Sequence, residues 1–281
     1  MKTNKLHQFI AHLVLIFGCV IALYPVLWVI KMALSSGSSF AATINPFPEE
    51  FNLGNFERVL GTSLSDGSWL FGQQLFNSII VSAATTVVGV TLATTAAYAF
   101  SRFRFGGRQM LLSSFLITQM FPATMVMIPL YVILDSLHLL DTWTGLVLVY
   151  STTALPFCVY MLKGYFDTIP TELEEAALLD GASRFRIFWS LILPLARPAI
   201  AVTALFSFMT AWNEFILAAT FMANESSYTL PVVLQGYVGA KAVDWGAFAA
   251  GAIVVSIPVM SLFFMLEKHM VSGLTSGSVK G

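Results

Sequence analysis

Charge is scarce in this sequence. Asp, Glu, Lys and Arg make up 10% of the 281 residues while hydrophobic residues make up 57%, a balance that excludes an ordinary water-soluble domain. The two cysteines, Cys19 and Cys158, both fall inside long apolar runs. They offer no disulfide framework and read as small core residues. Four histidines, His7, His12, His138 and His269, are scattered without the spacing that holds a metal. No G-x-x-x-x-G-K-[ST] run is present, so the chain carries no phosphate loop and does not hydrolyse ATP alone. G-x-S-x-G, a Ser/His/Asp arrangement and H-E-x-x-H are missing too, which removes the familiar hydrolase readings. No fixed short repeat is visible, and a formal net charge of −1 favours no particular partner.

What the chain does have is six apolar runs, Ile10–Met32, Phe76–Phe100, Met110–Leu134, Thr142–Met161, Ala199–Met222 and Trp245–Leu266. Each is close to the roughly 20 residues that cross a bilayer as a helix. The fold class is therefore an all-α polytopic membrane protein with six transmembrane helices. With the N-terminus inside, the cytoplasmic segments hold Lys2, Lys5, Arg102, Arg104, Arg108, Lys163, Arg184, Arg186, Arg197, Lys268 and Lys280, eleven of the fourteen Lys and Arg. Only Lys31, Arg58 and Lys241 fall outside, so the positive-inside rule places both termini in the cytoplasm. Ser39-Phe40-Ala41 loosely resembles a signal-peptidase site, but the preceding run is too long for a signal core and reads as an uncleaved anchor.

Two external segments stand out. Residues 33–74 hold a loop-forming stretch, Asn45-Pro46-Phe47-Pro48, and then Phe51, Leu53, Phe56, Val59 and Leu60, which predict one short amphipathic helix on the membrane surface. Residues 223–244 are polar at Asn224-Glu225-Ser226-Ser227 and apolar from Leu230 to Leu234. Inside the third run, Met120-Phe121-Pro122 and Ile128-Pro129 predict a bend, either a moving gate or a plain structural kink. Met120, Met125 and Met127 supply soft packing there. Asn213-Glu214 places an ionisable group inside the fifth run, where such groups turn toward protein or water. Glu214 therefore lines a path or an interface, or else caps or pairs with another helix.

The segment Leu173–Pro198 differs from everything around it, being charged and alanine-rich between two apolar runs. Thr171 with Glu174 predicts a capping box, Leu173, Ala176, Ala177 and Asp180 share one face, and Gly181 supplies a left-handed stop. Ser183 caps a second helix that Pro194 and Pro198 close. The product is a short helix, a sharp turn and another short helix. Glu174, Glu175 and Asp180 offer charges to basic partners, and the alanines admit another backbone closely. It is a docking element or a connector rich in good helix formers.

Glu175-Ala176-Ala177, Gly181 and Leu193-Pro194 between two spans resemble the EAA motif of ABC importer permeases. Tyr98-Ala99-Phe100-Ser101-Arg102-Phe103-Arg104-Phe105, Met120-Phe121-Pro122 and Lys163-Gly164-Tyr165-Phe166 look like the sugar-type members. Gly273–Gly281 and Ser227-Tyr228-Thr229-Leu230 are similar to the maltose/maltodextrin branch. Trp212-Asn213-Glu214 is less typical of that branch, and the external loop is shorter, so maltose, maltodextrins, trehalose and other oligosaccharides all stay open. The resemblance implies the transmembrane domain of a type I importer. Its parts are a cytoplasmic N-terminus (1–9), a first span (10–32), an extracytoplasmic loop (33–74), a permease core (75–268) with coupling loop 163–197, and a cytoplasmic tail (269–281).

The same resemblance implies a non-catalytic subunit in a bacterial or archaeal inner membrane. It would pair with a second permease subunit as a heterodimer, with two copies of a cytoplasmic ATPase and with an extracytoplasmic sugar-binding protein, and no nucleic acid is involved. ATP and Mg would be bound by the ATPase, with no cofactor in this chain. Glu174, Glu175, Ala176, Ala177, Asp180 and Gly181 would dock the ATPase, and Asn224, Glu225, Ser226, Ser227 and Tyr228 would meet the binding protein. Asn213 and Glu214 would line the path, and Gly277 and Lys280 would touch the ATPases. The rival readings are a permease for a non-sugar solute and, more remotely, a polytopic membrane enzyme or receptor.

Overall fold

The computed structural model describes residues 5–37, 45–48, 50–239 and 243–277. Lys2, Ser39-Phe40-Ala41, Lys241 and Lys280 lie outside the described residues. The elements in chain order are α1 (Lys5–Leu34), α2 (Gly54–Leu60), α3 (Leu70–Arg102), α4 (Arg108–Met120), α5 (Ala123–Ser136), α6 (Trp143–Thr168), α7 (Glu172–Leu179) and α8 (Arg184–Ile187). A π-helical segment (Phe188–Ile192) follows, then α9 (Leu193–Leu195), α10 (Arg197–Trp212), α11 (Ile216–Phe221), a 3₁₀ turn (Glu225–Ser227), α12 (Leu230–Tyr237) and α13 (Trp245–Gly277).

Among the described residues four helices, Lys5–Leu34, Leu70–Arg102, Trp143–Thr168 and Trp245–Glu267, are each long and apolar enough to cross a membrane. Two bent helix pairs among the described residues also have the length and composition to cross, which gives up to six spans if each pair is one span. The expected third run breaks at Phe121-Pro122, where α4 and the following helix meet at 104°. Pro129 stays inside α5, so of the two prolines only Pro122 marks the break. The expected fifth run is α10 and α11, interrupted at 213–215, and the stretch before it (184–195) meets α10 at 76°.

Pro194 does not close the second short helix as expected. The chain widens into the π-helical segment, where the Leu193 amide reaches back to the Phe188 carbonyl, and Pro194 then enters the first turn of α9. A proline ring crowds the carbonyl four residues earlier, and the wider π turn makes room for it. The stop comes instead at Ala196, before Arg197 and Pro198 open α10.

The chain divides into two compact units. The first, Met1–Gly72 with Val233–Ile257, holds α1, which exposes apolar side chains along nearly its whole length, as a helix solvated by hydrocarbon does. Its C-terminal carbonyls need partners. The Asn55 amide donates to those of Met32, Ala33 and Ser35 at 3.2, 3.1 and 2.9 Å. The short helix expected after Phe51 is α2, but its buried side is Asn55 and Val59, while Phe51, Leu53 and Leu60 are exposed. Arg58 pairs with Asp244 at 2.6 Å in the same unit.

The second unit, Gln73–Val232 with Pro258–Gly281, is organised around α6. Leu146, Val149, Tyr150, Ala154, Cys158, Leu162 and Phe166 are buried along it at the three- and four-residue spacing of one helix face. Two apolar clusters meet this spine. One gathers Val81, Tyr150, Ala211 and Phe221, and the other gathers Tyr98, Phe100, Leu162, Phe166, Phe188 and Ile192. The second cluster lies beside the short helices of Leu173–Pro198.

Candidate functional site

The helix–turn–helix forms as its residues dictate. At the end of α7 the amide of Gly181 bonds Leu178 and that of Ala182 bonds Ala177, each at 3.0 Å, with Gly181 at φ +83°. This pattern closes a helix with a left-handed residue. A Cβ at Gly181 would meet nothing within 4 Å, so the torsion alone demands glycine. Ser183 then accepts from the Arg186 amide and starts α8.

The capping box expected at Thr171 and Glu174 is absent. Thr171 makes no side-chain cap. Glu174 is buried, with its carboxylate bonded to Arg102 and to the Tyr98 hydroxyl at 2.8 Å. Its charge is therefore not offered at the surface as expected, because an arginine and a tyrosine from the end of α3 already satisfy it. Glu175, Ala176, Asp180 and Gly181 are exposed, while Ala177 is half-buried. The exposed set also includes large apolar groups that the sequence reading did not single out, Leu179 at 90% and Phe185 at 73% exposure. Exposed leucine at a sharp turn, flanked by Glu175 and Asp180, forms an apolar tip with acidic shoulders.

The polar loop at 223–229 is braced. Asn224 and Glu225 are exposed, and Ser226, Ser227 and Tyr228 are half-buried. Gln74 donates to the Glu225 carbonyl at 2.9 Å, and Asn77 donates to the carbonyls of Ser226 and Tyr228 at 2.7 and 3.1 Å. The Leu230 amide donates to Ser78 at 2.7 Å. From the turn before α6, Asp141 accepts from the amides of Ala223 and Asn224 at 3.1 and 3.4 Å and from the Asn224 side chain. Its own amide donates to the Phe221 carbonyl at 2.9 Å, and its φ is +56°. Burial raises the Asp141 carboxyl, but the hydrogen bonds from Ala223, Asn224 and Ser227 outweigh it and hold its pKa below the ordinary carboxylate value. None of Gln74, Asn77, Ser78 or Asp141 stands out in the sequence. Their only signal is polar residues at the ends of apolar runs.

Of the two residues expected on a path, Asn213 is exposed and bonds back to the Met209 carbonyl at 2.8 Å. Glu214 is half-buried and caps α11, its carboxylate accepting from the amides of Leu217 and Ala218. This geometry gives Glu214 a cap, one of the roles the sequence leaves open for it. Gly277 is the last described residue of α13, and the ATPase contacts expected of Gly277 and of Lys280 fall outside the described side chains.

The fold is that of an ABC transporter transmembrane subunit. A solved bacterial ABC transporter that imports the acidic polysaccharide alginate matches with a TM-score of 0.77 at 24% identity, over 95% of this chain and 98% of that one. The chain belongs to the family described as binding-protein-dependent transport system inner membrane component, whose model matches residues 86–272. Among its relatives, the galactooligosaccharides transport system permease protein GanQ of Bacillus subtilis is 38% identical over 100% of this chain and 99% of its own. The trehalose transport system permease protein SugB of Mycobacterium tuberculosis is 37% identical over 92% and 93%. The maltose/maltodextrin permease MalG of Escherichia coli is 35% identical over 100% and 98%.

Proposed function

We propose that this chain is one of two permease subunits of an ATP-driven sugar importer, with α7 and the Gly181 turn seated on a cytoplasmic ATPase. The observation that carries the docking part is the exposed tip. Leu179, at 90% exposure, stands at the end of a two-turn helix whose geometry is fixed on one side by Gly181 and on the other by Glu174. A large apolar side chain held rigidly in water favours a partner with an apolar cleft. The sugar reading is supported by full-length relatives whose names specify galactooligosaccharides, trehalose and maltodextrins. The charge bias of the loops supports cytoplasmic termini, which puts the tip on the ATPase side and the loop at 223–229 outside, facing a sugar-binding protein.

The test reconstitutes the complex with its ATPase and binding protein and measures uptake of radiolabelled maltodextrin, trehalose and galactooligosaccharide. Import of at least one, abolished by Leu179→Asp along with ATPase co-purification, is the expected result. Import of a non-sugar solute alone, or full activity in Leu179→Asp, overturns the reading.

A further inference from the structure

Glu174 is the only buried residue of α7, and it is held by a different span. Its carboxylate meets Arg102 through one oxygen and the Tyr98 hydroxyl through the other at 2.8 Å. The second arm of the Arg102 guanidinium donates to the Ile169 carbonyl at 2.9 Å, just past the end of α6. The two charged side chains are 7% and 10% exposed. We propose that Arg102 and Tyr98 are positioning residues that make the docking helix a rigid extension of α3, so that a displacement of α7 is delivered to the second span. The proposal rests on the docking reading and adds to it the span that receives the motion.

The surroundings of the pair carry the same logic. A helix of eight residues is too short to hold its shape unaided, and most of α7 is exposed, so its orientation comes from what grips it. Around Arg102 the last turn of α3 is bonded on several sides. Ser101 donates to Asp167 at 2.7 Å, Asp167 pairs with Lys163 at 2.6 Å, and the Arg184 guanidinium lies 5.6 Å from the Phe103 ring centre. A buried ion pair adds little net stability over an apolar pair of similar size. What it adds is direction, because the planar guanidinium fits Glu174 and Ile169 in only one arrangement. Tyr98 fixes the remaining oxygen while its ring packs on Phe188 at 4.8 Å, joining the lock to the apolar cluster.

The experiment compares Tyr98→Phe, Arg102→Lys and the double replacement Arg102→Met with Glu174→Met in the reconstituted complex. The double replacement leaves no unpaired buried charge. The readout is sugar imported per ATP hydrolysed, using whichever of maltodextrin, trehalose or galactooligosaccharide the wild type imports. The double variant is expected to insert, keep its ATPase and lose about tenfold of that ratio, within the range of typical coupling energies. Arg102→Lys, which keeps the charge pair but not the fork to Ile169, and Tyr98→Phe should each lose less. An unchanged ratio in the double variant overturns the proposal, as does loss of the ATPase, which would make the pair part of the docking surface. If the docking reading itself is wrong, Leu179→Asp transports normally. If only this lock is wrong, Leu179→Asp is inactive and the double variant is not impaired.

Discussion

The Tyr150 hydroxyl donates to Glu214 at 2.9 Å, and the same carboxylate accepts from the amides that open α11. One acidic side chain thus ties the middle of α6 to the break between α10 and α11. Glu214→Gln keeps an acceptor of the same shape and removes only the charge facing the helix N-terminus, worth about 0.3–1 kcal/mol. Glu214→Ala leaves Tyr150 and the two amides without their acceptor, costing about 1–3 kcal/mol. Melting in detergent should rank wild type, Gln and Ala in that order, with uptake largely kept in Gln. A Gln variant that melts like wild type yet does not transport would put Glu214 on the translocation path.

Asp141 gives a second prediction with a pH signature. Its folded pKa is depressed, so its contribution is present above the unfolded value of about 3.9 and is lost as pH falls through the folded one. Hydrogen-exchange protection of the amides of Ala223 and Asn224 should hold steady between neutral pH and about 5 and collapse only in stronger acid. Asp141→Asn tolerates the left-handed backbone but turns a second amide group against Asn224. It should weaken that protection at every pH and, on the proposed contact of this loop with a binding protein, the stimulation of ATP hydrolysis by the loaded binding protein.

At Gly181 two substitutions separate torsion from contact. A branched residue at φ +83° is strained by about 1–2 kcal/mol or more, whereas asparagine accepts the left-handed region readily. Nothing lies within 4 Å of the added carbon, so Gly181→Asn should keep the turn and Gly181→Val should open it. Uptake retained in Asn and lost in Val assigns the defect to the turn. Equal loss in both would mean that the partner itself packs against this glycine.

In the first unit, Asn55→Leu removes the donor shared by three carbonyls near the end of α1. The loss should cost about 1–3 kcal/mol and fray α1 into proteolysis near Ser35. Co-purification of the ATPase should be untouched, since α7, the proposed docking helix, belongs to the other unit. Unchanged protease resistance would show that α1 does not depend on this cap.

Much of the architecture was legible because the membrane enforces it. A backbone in hydrocarbon must satisfy its own hydrogen bonds, so apolar runs from Ile10, Phe76, Thr142 and Trp245 became helices with little latitude. The turn at Gly181 and the cap at Ser183 were equally readable, being local rules that act within five residues. The capping box at Thr171 failed for the opposite reason. Glu174 had a choice between a nearby amide and a distant cation, and a buried arginine is the stronger partner.

Composition and spacing by themselves determined that this chain is a helical membrane protein with a charged helix–turn–helix between spans and no catalytic motif. The residues at 175–177, 181 and 193–194 were enough to point to the importer family. Only the tertiary structure decided that Glu174 turns inward while Leu179 points out, that Pro194 is absorbed by a π turn, and that Glu214 caps a helix. It alone brought Asp141 and Asn77 to the loop at 223–229. The inward turn of Glu174 and the bracing by Asp141 and Asn77 each depend on a partner tens of residues away along the chain. A sequence pattern reports the hydrogen bonds that a residue is able to make, and packing selects among them by bringing the best-matched charge or donor within 3 Å.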